Sequence, residues 1–182
     1  MEPTDRTPRR LSDADIRSFL ARLGERCEHP SVLYLLGGSA LILLGSLRPT
    51  VDLDYVGSDL SAQTDEWQNV IHQVGDEMRI EVEALPIQEF IPLPQDAERR
   101  HIKIGQFGKL SVYVFDPYSI ALSKIERGFE SDLEDVVFLI RQKLIAYDRL
   151  LELAQTLIAR AGEFGLDVQQ IRAHLDALAR TK

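Results

Sequence analysis

Two aspartates, Asp52 and Asp54, stand one residue apart in the stretch TVDLDYV, residues 50–56. The stretch alternates, with Val51, Leu53 and Tyr55 on one side and the two acids on the other, the pattern of a half-buried strand. Carboxylates at i and i+2 on a strand point the same way and can share a hard cation such as Mg2+. The plainer account is a strand with polar residues turned to water. Two adjacent unpaired acids repel, however, and Asp is disfavoured in strands; a divalent ion would remove both difficulties. A third carboxylate is available in MRIEVEAL, residues 78–85, where Ile80, Val82 and Ala84 face one way and Glu81 and Glu83 the other. If the two strands are neighbours, either glutamate can complete a three-carboxylate site. Spacing alone does not separate them.

A second feature precedes the aspartates. The apolar run VLYLL (32–36) stops at Gly37-Gly38 and leads through Ser39 into SALILLG. A strand that breaks at glycines and turns into a helix leaves free backbone N–H groups at the positive helix end, a ready anion site. Gly37 and Gly38 allow a phosphate to approach closely, and the Ser39 hydroxyl can add a donor; a tight turn needing positive φ is the simpler account. Two named phosphate motifs are absent, since there is neither G-x-G-x-x-G nor Gly-Lys-Ser/Thr. His29, His72, His101 and His174 are scattered without ligand spacing and read as structural or surface residues. Cys27 reads as core, Trp67 as a residue packing helix on sheet, and ERRHIK (98–103) as a solvated edge strand.

The elements that must position these groups follow from capping and periodicity. Ser12 with Asp15 forms a capping box for a helix whose apolar face is Ile16, Phe19, Leu20, Leu23 and Cys27, ended by His29-Pro30. VLYLL is a buried strand, and SALILLG a helix of about two turns with Ser39 as its N-cap. After TVDLDYV comes a helix over 62–77, then MRIEVEAL, then a proline-rich loop over 86–100. RHIKIGQFGKLSVYVFD is two strands joined by a glycine-containing turn. Asp116-Pro117 starts a helix through Ile125, and Ser131 with Glu134 forms a capping box for the next. Amphipathic helices over 147–162 and 167–180 complete the chain. The order gives an α+β fold, a mixed sheet over 12–116 with a C-terminal helical bundle over 117–182 packed on it.

Composition narrows the function class. With 45% hydrophobic residues among 182 the chain has apolar mass for a real core. A net charge of -8 argues against a dedicated duplex-binding protein, though not against an enzyme with a local basic patch. A single cysteine excludes an internal disulfide and fits a reducing, cytoplasmic compartment. No apolar run is long enough to span a membrane, and no apolar stretch follows the arginines of the first ten residues, so no signal peptide is expected.

The block GGSALILLGSLRPTVDLD resembles the signature of the polymerase-β-type nucleotidyltransferase superfamily, closest to small bacterial proteins with a GG-x-A…G…R-x-T-x-DLD pattern. These include nucleotidyltransferase toxins of toxin–antitoxin and abortive-infection systems. RIEVE is similar to the family's R-I-D-L strand, and SIALSKIERGFESDLEDVVFL to its helix with a Lys followed by a DL-x-D segment. The resemblance spans residues 32 to 140 and implies the nucleotidyltransferase fold. It also implies Mg2+-dependent transfer from an NTP to an RNA (tRNA) or protein acceptor. By that resemblance Gly37, Gly38 and Ser39 hold the triphosphate, Asp52, Asp54 and Glu81 bind Mg2+, and Lys124 reaches the triphosphate. Arg48 and Thr50 support the loop, and Asp132 and Asp135 either close the nucleotide pocket or brace their helix. A cognate toxin or antitoxin is the implied partner. The alternative is a catalytically weak or inactive, antitoxin-like binding module of the same fold that acts through protein–protein contact; a metal-dependent hydrolase would want histidine ligands.

Overall fold

The computed structural model describes residues 9–57 and 65–181, so the expected helix start at Ala62 lies outside the described residues. In chain order the elements are α1 (Asp13–Glu25), β1 (Ser31–Leu35), α2 (Gly37–Leu43), β2 (Asp52–Val56), α3 (Asp65–Met78) and β3 (Glu81–Leu85). A short α4 (Ile87–Phe90) and a 3-10 turn (Ala97–Arg100) follow, then β4 (Ile102–Phe107) and β5 (Leu110–Val114). The chain continues with α5 (Pro117–Arg127), α6 (Glu130–Arg141), α7 (Tyr147–Ala159), α8 (Ala161–Phe164) and α9 (Val168–Ala179).

The strands form one mixed sheet in the order β3-β2-β1-β5-β4. β1 runs antiparallel to β2 and parallel to β5, β2 runs parallel to β3, and β4 closes the far edge as a hairpin with β5. The period-2 pattern decides which face is buried. Leu33, Leu35, Leu53, Tyr55, Leu110, Val112 and Val114 are all fully buried. α1 packs against β4 and β5 and touches α2 and α3, contributing Ile16, Phe19, Leu20 and Leu23 to the core. Burial of each such side chain contributes about 1.5–3 kcal/mol. One continuous core runs from Leu11 to Leu178, so the C-terminal helices share it with the sheet. The α+β architecture expected from the element order is the one observed. Among the described residues no helix is long and apolar enough to cross a membrane.

Local chemistry explains the boundaries. The Ser12 hydroxyl accepts from the Asp15 N–H while the Asp15 carboxylate accepts from the Ser12 N–H, the capping box expected. Asp116 caps α5, accepting from the Tyr118 and Ser119 N–H groups, with Pro117 at the first helical position. α5 ends at Gly128, in the left-handed region at φ +68°. His101 lies between the Tyr34 and Phe115 rings, at 4.5 and 4.6 Å, and burial pushes its pKa down, in keeping with a structural histidine.

Three local expectations are corrected. Ser39 is not the N-cap of α2: the chain enters the helix directly after extended Leu36, and Ser39 is a fully buried third residue whose hydroxyl donates to the Leu36 carbonyl. The Ser131–Glu134 box does not form, since α6 begins at Glu130 with Phe129 as an N-cap lacking a side-chain bond. α6 is rotated so that Asp132 and Asp135 face inward, which leaves Ser131 and Glu134 outside. The 86–100 segment is not a plain loop but contains α4 and the 3-10 turn.

Candidate active site

The acids of β2 lie on the sheet face opposite the core, and the neighbours of β2 set what they meet. Parallel pairing places Asp52 opposite Glu81 and Asp54 opposite Glu83, so four carboxylates share one face. The Leu36 N–H donates to the Asp54 carbonyl at 2.9 Å, which brings the end of β1 and the glycine turn beside Asp54. Gly37, at φ +60°, packs directly on the Asp54 carboxylate; a Cβ there would overlap Asp54 Oδ2. Gly38 packs on Thr50 and Arg48, where a Cβ would lie 2.9 Å from Thr50 Oγ1 and 3.3 Å from Arg48 Nη2. Thr50 Oγ1 in turn donates to Asp52 Oδ1 at 2.6 Å, fixing that carboxylate.

A cleft of about 330 Å³ opens at this point. Asp52, Asp54 and Glu83 supply its acidic side, Gly37 its glycine turn, Lys124 and Arg127 of α5 its cationic side, and Leu85, Ile87 and Phe90 an apolar side. Ile120, Ser123, Lys124 and Arg127 line it together because spacings of three, four and seven put them on one helix face. Burial, then the charges of Asp52 and Glu83, raise the Asp54 pKa to about 7, against the opposing pull of Arg127 and Lys124. The site carries more negative charge than its own cations offset.

Lys124 is buried rather than free. Its Nζ lies 2.7 Å from Asp135 Oδ2 and 3.1 Å from Asp132 Oδ1. Arg48 grips Asp135 with two bonds, Nε to Oδ1 at 2.7 Å and Nη2 to Oδ2 at 2.6 Å, and Arg127 Nη2 reaches Asp132 Oδ1 at 2.6 Å. Three cations against two carboxylates leave this network one positive charge, set beside the acids of β2. It ties the Arg48 loop, α5 and α6 into one unit. Asp132 Oδ2 remains buried without a hydrogen-bond partner.

A family model described as "Nucleotidyltransferase of unknown function (DUF6036)" matches residues 12–171. The chain belongs to that nucleotidyltransferase family. No curated protein and no solved structure matches it.

For this nucleotidyltransferase the structure gathers Gly37, Asp52, Asp54 and Lys124 around one cleft and leaves other expected residues outside its lining. Glu81, opposite Asp52, does not line the cleft, whereas Glu83 does, although both are exposed. Among the described residues no group of three His, Cys, Asp or Glu side chains is arranged to hold a metal ion. Ser39 and Asp135 are buried away from the cleft, with Ser39 bonded to Leu36 and Asp135 to Arg48 and Lys124. Asp132 and Asp135 therefore brace α5 against α6.

Sequence reasoning passed over Arg127, Ser123, Glu126 and Phe90, all of which line the cleft. Extending the Ile120–Lys124 spacing by one turn reaches Arg127. Phe90 gave no signal inside a segment read as loop. The basic segment 98–103 holds no free Arg100, which makes a bidentate pair, 2.7 and 2.9 Å, with fully buried Asp116.

Proposed function

We propose that this nucleotidyltransferase moves a nucleoside monophosphate from an NTP to a hydroxyl on RNA or protein, with Mg2+ as cofactor. The reading rests on one observation: Asp52 and Asp54 face a glycine turn and two α5 cations across a single cleft. The acceptor oxygen attacks the α-phosphorus, the bond to the bridging oxygen of the β-phosphate breaks, and pyrophosphate leaves.

The donors fit a hard cation. Carboxylate oxygens suit Mg2+, which commonly takes one or two protein carboxylates and completes its shell with phosphate oxygens and water. Asp52 and Asp54 would hold it, with Glu83 and Glu126 as further acids lining the cleft. When bound, the ion supplies Lewis-acid polarisation of the phosphates. The chain's own residues do the rest. Thr50 holds the Asp52 carboxylate in one orientation. The Gly37 turn, the part of α2 that lines the cleft, would receive the triphosphate. Lys124 and Arg127 offset charge developing on the leaving pyrophosphate.

Resemblance to toxin–antitoxin nucleotidyltransferases supports a place in such a pair, with tRNA or a protein as acceptor and a cognate partner protein. The single cysteine, free and buried, supports a cytoplasmic setting. One observation favours a second reading, an antitoxin-like binding module: Lys124 is already engaged by two aspartates.

The test is incubation with each α-labelled NTP, Mg2+, total RNA and cell extract. Label should enter RNA or protein, and Asp54→Asn should abolish it. Absence of label in every arm, with no Mg2+-dependent NTP binding by calorimetry, overturns transfer and leaves the binding module.

A further inference from the structure

Phe90 is 47% exposed, although its surroundings are fixed: Ile87 and Ile91, on either side of it in sequence, are buried at 3% and 0%. The Ile91 N–H donates to the Ile87 carbonyl at 3.2 Å and the Glu89 N–H to the Pro86 carbonyl at 2.9 Å, so Phe90 sits on a closed turn that buried Ile87 and Ile91 seat on the core. With Leu85 and Ile87 the ring forms the apolar wall of the same cleft that carries Asp52, Asp54 and Lys124. A large half-exposed aromatic on a pinned turn, lining a charged cleft, offers a flat face to a ligand rather than to the core.

We propose that Phe90 is the base-stacking residue of the site, with the nucleobase of the bound nucleotide lying on its ring and Leu85 and Ile87 covering the base beside it. The inference rests on the nucleotidyl-transfer reading and adds where the non-phosphate end of the substrate goes. A nucleoside triphosphate has a polyanionic end and a flat aromatic end, and the cleft has a cationic side and an apolar side to receive them. A phenyl ring has no hydrogen-bonding groups, so it contributes affinity for every base and chooses among none of them.

The test is calorimetric titration of the full chain, with Mg2+ present, using each of the four NTPs and inorganic tripolyphosphate. Phe90→Ala should weaken all four NTPs by about 5- to 150-fold, the range of a lost base–aromatic stack, and leave tripolyphosphate binding unchanged. Phe90→Trp should keep NTP affinity, while Phe90→Leu, which keeps apolar bulk without the ring, should be as weak as Phe90→Ala. The half-exposed position makes these variants tolerable to the fold, which a thermal melt confirms. Wild-type NTP affinity in Phe90→Ala or Phe90→Leu overturns the stacking role alone. Loss of tripolyphosphate binding in parallel with NTP assigns Phe90 to structure and also overturns it. A wild-type chain that binds neither NTP nor tripolyphosphate overturns the transfer reading and the stacking role together.

Discussion

Gly37 and Asp54 occupy adjoining space so closely that a Cβ on Gly37 would overlap Asp54 Oδ2. The glycine turn is thus the surface on which the second aspartate of β2 rests. Two costs fall on Gly37→Ala. A non-glycine residue at φ +60° costs about 1–2 kcal/mol, and the methyl must also displace Asp54. We expect urea unfolding to show a loss of at least about 1 kcal/mol, together with impaired transfer. Unchanged stability would mean that Asp54 does not pack on the turn.

The charge on Asp54 makes a prediction with a definite sign. Its folded pKa, about 7, lies above the ordinary carboxylate value, so the folded chain holds a proton that the unfolded chain has released. Without metal, stability should fall as pH rises from about 4 to 7, as Asp54 ionises beside Asp52 and Glu83 with Lys124 and Arg127 compensating only in part. Asp54→Asn cannot ionise. Its stability should exceed wild type by about 1–3 kcal/mol at pH 8 and converge with it near pH 4, the shift being discounted for the water in the cleft. Chemical denaturation at several pH values measures the difference. A constant gap across this range would contradict the assignment, and Mg2+ should narrow the gap at pH 8 by binding wild type only.

Lys124 lies in a different energetic class from a surface lysine. Lys124→Met keeps the apolar stem but leaves Asp132 and Asp135 with only Arg127 and Arg48, in a region where Asp132 Oδ2 already lacks a partner. Removing one member of a buried ion pair typically costs about 3–5 kcal/mol. We expect a loss toward the lower end, because two arginines remain. A snorkelling lysine would cost less than about 1 kcal/mol, and thermal or urea unfolding separates the two.

The legible and illegible parts of the chain divide along physical lines. Alternation in TVDLDYV told core from cleft because burying one sheet face forces a period of two, and Leu53 and Tyr55 obey it fully. Asp116-Pro117 and Ser12–Asp15 were legible because caps are made within a few residues. Ser131–Glu134 had the same local signature and failed, because α6 already begins at Glu130 and turns Asp132, Asp135, Val136 and Leu139 inward. The choice between Glu81 and Glu83 depended on strand register and on where the cleft opens, neither of which alternation encodes. Nothing in the sequence marked Arg48 as the partner of Asp135, 87 residues away. Contacts of that length leave no periodic trace.

Thr50 offers the sharpest test of how Asp52 is held. Its backbone is pinned, since the Leu11 N–H donates to the Thr50 carbonyl at 2.8 Å, and its side chain packs on Gly38. From that fixed place Oγ1 donates to Asp52 Oδ1 at 2.6 Å. Thr50→Val preserves the branched shape and removes only the donor, so the backbone pairing and the Gly38 contact should survive and stability should change by less than about 1 kcal/mol. Asp52 would then rotate freely in a cleft where, on the proposed function, its orientation matters for Mg2+ binding. Losing a residue that orients a metal ligand typically costs about 10–100-fold in activity or metal affinity. We expect transfer to fall within that range and the Mg2+ concentration for half-maximal rate to rise, while tripolyphosphate affinity at saturating Mg2+ stays near wild type. Thr50→Ser, which restores the hydroxyl, should recover most of the rate. Equal defects in the Val and Ser variants would point to packing on Gly38 rather than to the hydrogen bond.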